Sequence, residues 1–393
     1  MTQAAPLRVG IVAGESSGDQ LGAALIGALR ERVPELQCFG VAGPKMIAAG
    51  CEAWAAAEEL AVMGLTEVLA HLPRLLRLRA SLTARFLASH PDVFVGIDAP
   101  EFNLGLAMRL HARGLRTVQY VSPQVWAWRQ GRARNIGHAC DLVLCLLPFE
   151  TAFYSSHGVP AAFVGHPLAD QIPLEVDRPG ARAALGLAAT ATVVALLPGS
   201  RVGEVERLGA DFLRAAAWLA ERRPDIEFIA PMATARAREV FESKQAEVPA
   251  APRVLLIEGH AQQALAACDA AIVASGTATL EALLSRRPMV VAYRLGALTA
   301  FLLRRLRLVK VPYFSQPNLL VGRLLVPELL QEQVSGAALG EALLGRLSDT
   351  AYLRQLDEEF RKVHETLRGG AAARAAEAIL ALLRAPLARE ARR

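Results

Sequence analysis

Asp98, Glu101 and Asn103 follow an apolar run closely, in the stretch GIDAPEFNL (96–104). A carboxylate at the end of a strand serves as general base on a sugar hydroxyl when its surroundings tune it. The plainer reading of Asp98 is a turn cap. A second carboxylate, Glu15, stands inside GIVAGESSGD (10–19). Glycine turns of this kind usually cradle phosphate at a helix N-terminus, but the spacing Gly10, Gly14, Gly18 is not G-x-G-x-x-G, and Glu15 would repel an anion. With Ser16 three residues ahead of Asp19, the stretch also fits a helix-capping arrangement.

Two later stretches have the opposite character. LLPGSRVGEVE (196–206) places Gly199, Ser200 and Arg201 between a strand and a helix, where a backbone turn and a fixed guanidinium suit a diphosphate. VASGTATLEALL (273–284) offers N–H and hydroxyl donors from Ser275, Gly276 and Thr277 at a helix start. Glu281 lies one turn beyond Thr277, placed to grip vicinal ribose hydroxyls. An acidic half-site and an anion-binding half-site together suggest a nucleotide donor and an acceptor. The eight histidines show no H-E-x-x-H spacing, and no D-x-D pair is present. No metal or other cofactor is expected, and a departing diphosphate would be stabilised by arginine and helix dipoles.

The elements that must carry these residues are short apolar runs alternating with helical stretches, the pattern of a parallel α/β sheet covered on both faces. Strands are expected at 7–13, 93–97, 117–121 and 141–146, then at 192–197, 226–230, 253–257, 270–274 and 289–293. The helix after the first strand should bury Leu21, Ala24, Leu25, Ala28 and Leu29. That after 192–197 should bury Val205, Leu208, Phe212, Ala215 and Leu219. The proline-rich stretch 165–190 reads as a crossing between two Rossmann-like halves. The expected organisation is an acceptor-side domain over 1–168, a donor-binding domain over 169–350, and a helical segment over 351–393 that returns to the first. That return could occur within one chain or by exchange in a homodimer.

At 393 residues the chain is too long for one ordinary core, and 53% apolar content excludes disorder. Five cysteines without a C-x-x-C pair fit buried thiols in a reducing compartment. The short apolar run after Arg8 is needed as a strand and is not read as a signal peptide. No uncharged apolar run is long enough to span a bilayer. Two segments instead fit a helix lying in an anionic membrane surface. One is 63–79, with Leu65, Val68, Leu69, Leu72, Leu75 and Leu76 on a face beside Arg77, and with Pro73 expected to kink it or start a new helix. The other is 298–310, with Phe301 and Leu302 ahead of Arg304 and Arg305. Arginines around Trp126 and Trp128 could suggest nucleic acid, but the patch follows a strand in an enzyme-like sheet and is not repeated, so no nucleic-acid partner is expected.

The strings AGESSGD, GIDAPEFN, YVSPQVWAWR, FVGHPLAD, LLPGSR, SGTATLEAL and PNLL occur here in the order found in lipid-A-disaccharide synthases, and the chain resembles that family from about residue 8 to 333. The resemblance implies a GT-B fold, two Rossmann-like domains around a cleft, and a metal-free inverting transfer. The donor would be UDP-2,3-diacylglucosamine and the acceptor 2,3-diacylglucosamine 1-phosphate, joined β-1,6 with release of UDP. The work would be done at the cytoplasmic face of the inner membrane by a peripheral protein. By position, Asp98 would be the base with Glu15 as neighbour or rival. Ser16, Ser17, Glu101 and Asn103 would lie on the acceptor side. Arg201 with Ser275–Thr277 would hold the diphosphate, Glu281 the ribose, and Gln316 and Asn318 would face the nucleotide. The turn at Gly14–Gly18 would then meet a sugar lipid instead of a phosphate. A UDP-sugar 2-epimerase of the same fold and a non-catalytic lipid-binding protein are the alternatives.

Overall fold

A computed structural model describes residues 6–60, 65–128, 130–296 and 311–386, with only the backbone considered over 65–71. The chain forms two compact units, one of residues 1–170 with 367–393 and the other of 171–366. Each is a parallel sheet between helices. In the first the strands lie in the order Cys51–Ala56, Leu36–Ala42, Leu7–Ala13, Val93–Ile97, Arg116–Tyr120, Leu142–Cys145, Ala161–Phe163, and in the second Val254–Glu258, Ile226–Met232, Thr192–Leu197, Ala270–Ala274, Met289–Tyr293, Glu328–Leu330. These are two Rossmann-like α/β units, the composition of a GT-B fold.

The first sheet consists of β1 (Leu7–Ala13), β2 (Leu36–Ala42), β3 (Cys51–Ala56), β4 (Val93–Ile97), β5 (Arg116–Tyr120), β6 (Leu142–Cys145) and β7 (Ala161–Phe163). The second consists of β8 (Thr192–Leu197), β9 (Ile226–Met232), β10 (Val254–Glu258), β11 (Ala270–Ala274), β12 (Met289–Tyr293) and β13 (Glu328–Leu330). β4, β11 and β12 are unbroken runs of apolar residues, as are β1 after Arg8 and β8 after Thr192, so with both faces covered their sequence is continuous instead of alternating. β2, β3, β7 and β13 lie outside the expected set. β3 and β7 form the edges of the first sheet and β13 one edge of the second; exposure dilutes the apolar signal of β3, and β7 and β13 are only three residues long.

Helix Ser16–Arg32 buries Leu25, Ala28 and Leu29 as expected, together with Ile26, whereas Ala24 is exposed because the buried stripe is turned toward Ile26. Helix Val202–Arg222 buries all five expected residues. Helix Leu65–Ser89 runs through Pro73 as one element of 25 residues, so no new helix begins there. Its Leu75 packs partly into the core beside Leu82 and Phe86, while Leu72 and Leu76 are 42% and 44% exposed. The side chains of Leu65, Val68 and Leu69, and all of Phe301, Leu302, Arg304 and Arg305, lie outside the described residues. Among the described residues no helix is long and apolar enough to cross a membrane. All five cysteines are free and buried.

The C-terminal segment divides. Helix Thr350–Leu367 lies almost wholly in the second unit, where Tyr352 donates its hydroxyl proton to the Leu325 carbonyl (3.1 Å) and Phe360 is buried. Helix Ala371–Arg384 belongs to the first unit, its Ala375, Ala376 and Ile379 entering the same core as Leu25 and Leu29. Asp170 caps that helix by accepting from the backbone N–H groups of Gly369, Gly370 and Ala371 (2.9, 2.9 and 2.7 Å). The segment FVGHPLAD is thus a seat for the terminal helix.

Candidate active site

In open α/β sheets ligands bind beyond the carboxyl ends of the strands, and each unit presents a group of polar residues there. In the first, β1 ends at Ala13 and Glu15 takes the position just ahead of helix Ser16–Arg32 in an extended conformation, its side chain accepting no hydrogen bond from the helix. Glu15, Ser16 and Ser17 are exposed. The simple capping alternative is therefore not what Glu15 does. Asp19 is buried instead, its carboxylate accepting from the backbone N–H groups of Lys45 and Met46, both at 2.9 Å.

β4 ends at Ile97, and Asp98 and Ala99 both adopt left-handed backbone (φ 51° and 40°) before Pro100 opens the next helix. Two consecutive non-glycine residues there are costly, so the surroundings must enforce the turn. Three groups do so. The N–H of Asp98 donates to Tyr120 (2.9 Å), while its carbonyl accepts from the Asn103 and Gln119 amides (2.9 and 3.1 Å). The Asp98 side chain is half buried, and burial pushes its carboxyl above the ordinary carboxylate range, with the Ala99 N–H pulling the other way. Gly14 brings the Glu15 turn against this loop, since a Cβ on it would stand 2.9 Å from that of Ala99.

Asn103 is placed differently from expectation. It is fully buried, and its amide N–H2 reaches the Ile97 and Asp98 carbonyls at 3.2 and 2.9 Å and so shapes the strand end, while its buried Oδ1 has no hydrogen-bond partner. Glu101 is exposed and takes a two-pronged ion pair from Arg132 (2.8 and 3.2 Å).

In the second unit, β8 leads into Gly199 (φ 131°), exposed Ser200 and exposed Arg201. A Cβ on Gly199 would sit 2.4 Å from that of Glu204. Glu204, which the sequence reading passed over, accepts from the backbone N–H groups of Ser200 and Arg201 (3.0 and 3.3 Å). Those two amides are thus already engaged by a carboxylate, and the free anion-binding group at this turn is the Arg201 guanidinium. Its signal was legible as an acidic residue three positions after Arg201, the spacing of a capping box.

β11 leads into the second turn. Ser275 is used internally, its N–H on Ala292 (2.9 Å) and its hydroxyl on Phe314 (2.7 Å), leaving Gly276 and Thr277 exposed at the helix start. Glu281 is half buried one turn on. Burial raises its pKa against the opposing hydrogen bond from Gln262. Beside this turn Gln316 opens helix Gln316–Val321, its backbone N–H on the Thr279 hydroxyl (3.3 Å) and its buried Oε1 without a hydrogen-bond partner. Asn318 departs from expectation. It is fully buried with its amide on Val326 and Glu328 (2.9 and 2.7 Å) and its carbonyl taking Leu325 and Val326 (2.7 and 2.9 Å). It braces the loop and has no group left for a nucleotide. Glu328, also unforeseen, gathers Phe314, Ser315 and Asn318 onto one carboxylate.

The first unit bears carboxylates at its strand ends and the second bears arginine and hydroxyl donors at its own, equipment that suits a nucleotide-sugar enzyme of the glycosyltransferase class. Solved structures agree at the level of fold. A putative UDP-N-acetylglucosamine 2-epimerase from Listeria monocytogenes matches with TM-score 0.63 at 13% identity, covering 96% of each chain. The calicheamicin glycosyltransferase CalG4 matches with TM-score 0.57 at 18% identity, covering 97% of this chain and all of that one.

The family model described as lipid-A-disaccharide synthetase matches residues 9–381. Lipid-A-disaccharide synthase from Serratia proteamaculans is 52% identical over 380 residues, 97% of this chain and 99% of that protein. The Yersinia pestis protein of the same name is 53% identical over 377 residues, 96% of this chain and 95% of its own. The chain belongs to the lipid-A-disaccharide synthetase family and is a glycosyltransferase of lipid A biosynthesis. The epimerase likeness, at 13% identity, is one of fold alone.

Proposed function

We propose that this chain transfers 2,3-diacylglucosamine from UDP-2,3-diacylglucosamine to the 6-hydroxyl of 2,3-diacylglucosamine 1-phosphate. The products are the β-1,6-linked disaccharide 1-phosphate and UDP. Asp98 takes the proton of the acceptor hydroxyl as its oxygen attacks the anomeric carbon. The bond from that carbon to the diphosphate oxygen breaks with its electron pair, inverting the centre. Arg201, with Gly276 and Thr277, meets the charge developing on the leaving diphosphate. Glu281 takes the ribose, Gln316 lies on the nucleotide side, and Glu15 with Ser16 and Ser17 meets the acceptor sugar.

The observation that carries the reading is Asp98 itself, a half-buried carboxyl held above its ordinary pKa at a strained strand end. That environment makes a stronger base than a solvated aspartate. Exposed Leu72 and Leu76 beside exposed Arg77 support a peripheral position on the inner membrane's cytoplasmic face, where both lipid substrates would be drawn.

The test is disaccharide formation from the two lipid substrates in mixed detergent micelles, with and without a chelator. Product in both arms is expected. Asp98→Ala should lose about 10²-fold or more in kcat while still binding UDP. Retention of more than about a tenth of the rate sinks the base assignment.

A further inference from the structure

The carboxyl ends of β2 and β3 carry an apolar groove of about 580 Å³. Pro44, Ile47 and Ala48 of the short helix after β2 line it together with Ala53 and Trp54 of the edge strand β3, and among the described residues that line it Glu58 alone is charged. Ile47 is 50% exposed, a large aliphatic side chain that folding leaves uncovered. The alanines and proline leave a slot with room for an unbranched chain.

Position says what the slot serves. β2 pairs with β1, and β3 with β2. With neighbouring strands about 4.8 Å apart, the groove begins roughly 5–10 Å from the end of β1 where Glu15 stands. That is the span of one sugar ring and its first substituent atoms. Asp19, in the same turn as Glu15, caps the helix that carries Ile47. Leu60, two residues past Glu58, stands 3.4 Å from where a Cβ on Gly14 would lie. The neighbouring Glu59 carbonyl accepts from Arg74 (2.9 Å), on the helix that exposes Leu72 and Leu76. The groove is therefore fastened to the acceptor-side turn and to the exposed apolar helix alike.

We propose that the groove seats one acyl chain of the acceptor lipid, fixing the sugar so that its 6-hydroxyl meets Asp98. The inference rests on the glycosyltransferase reading above. An acyl chain arriving from a bilayer or micelle gains little from being desolvated again, so the groove acts on placement and chain-length selectivity more than on raw affinity.

Two variants test it in mixed micelles against acceptors bearing long acyl chains or acetyl groups. Ala53→Phe fills the slot from an exposed position, and Ile47→Asp puts a charge on its exposed wall. Each should raise KM for the long-chain acceptor about tenfold. KM for the acetyl acceptor and for the donor should stay within about twofold. Equal effects on both acceptors, or none on either, overturn the proposal. So does unchanged KM with an altered sedimentation coefficient, which would give the groove to a second copy of the chain. Absence of disaccharide from the unmodified enzyme overturns the proposed transfer reaction, and this proposal with it.

Discussion

The side-chain amide of Asn103 donates to the backbone carbonyl of Asp98 at 2.9 Å. One turn into its helix, Asn103 reaches back to hold the carboxylate-bearing residue ahead of it in left-handed backbone. Asn103→Ala leaves the carbonyls of Ile97 and Asp98 without that donor. It should destabilise the first unit by about 1–3 kcal/mol and lower kcat while leaving UDP affinity unchanged. Thermal unfolding and UDP titration check both halves. Wild-type kcat with lowered stability would separate the strained turn from catalysis.

Burial sets the pH dependence of Asp98. Its carboxylate is the active form and its pKa is raised, so activity should fall with decreasing pH at a midpoint above the ordinary 3.8. A kcat/KM profile with an acid limb at or below that value removes the assignment.

Glu150 carries a different pH signature. It is buried, accepts from the Trp126 indole and the Leu147 N–H (both 3.0 Å), and is pushed by burial up to about 7 from 4.5. The native state therefore holds its proton more tightly than the unfolded chain. The stabilisation is fully present below 4.5 and is lost as pH rises through about 7. Glu150→Gln keeps a neutral side chain there and should flatten that part of the profile. Urea midpoints at pH 5 and pH 8 measure it, and an equal fall in wild type and variant excludes Glu150 as its source.

Glu204 already occupies the backbone amides of Ser200 and Arg201. Arg201→Ala should consequently weaken UDP binding about tenfold or more, the worth of one charged hydrogen bond. Ser200→Ala should stay within about twofold. Isothermal titration with UDP decides it. Comparable losses at the two positions would mean that the turn's backbone, and not the guanidinium, meets the diphosphate.

Much of this molecule is legible in its amino-acid sequence. Interior strands such as Thr192–Leu197 and Ala270–Ala274 announce themselves because burial on both faces demands unbroken apolar runs. The turns carrying Asp98, Arg201 and Thr277 follow from where those runs stop, and the order of the motifs identifies the family. The edge strand Cys51–Ala56 is hidden because a half-exposed element carries mixed sequence, and β7 and β13 because three residues are too few to show a pattern.

Polar residues inside the motifs divided in a way that local sequence does not encode. Arg201 stays exposed and Asp98 half buried, whereas Asn318 spends both ends of its amide, and Asn103 its N–H2, on the backbone of neighbouring segments. Asp170 belongs to the N-termini of residues 369–371, some two hundred positions on, and Glu328 to a loop ten residues before it. Residue type and local spacing determined which groups could do chemistry. Which of them remained free to do it was decided by tertiary structure, because a buried donor or acceptor must find a partner and that partner is brought by the fold.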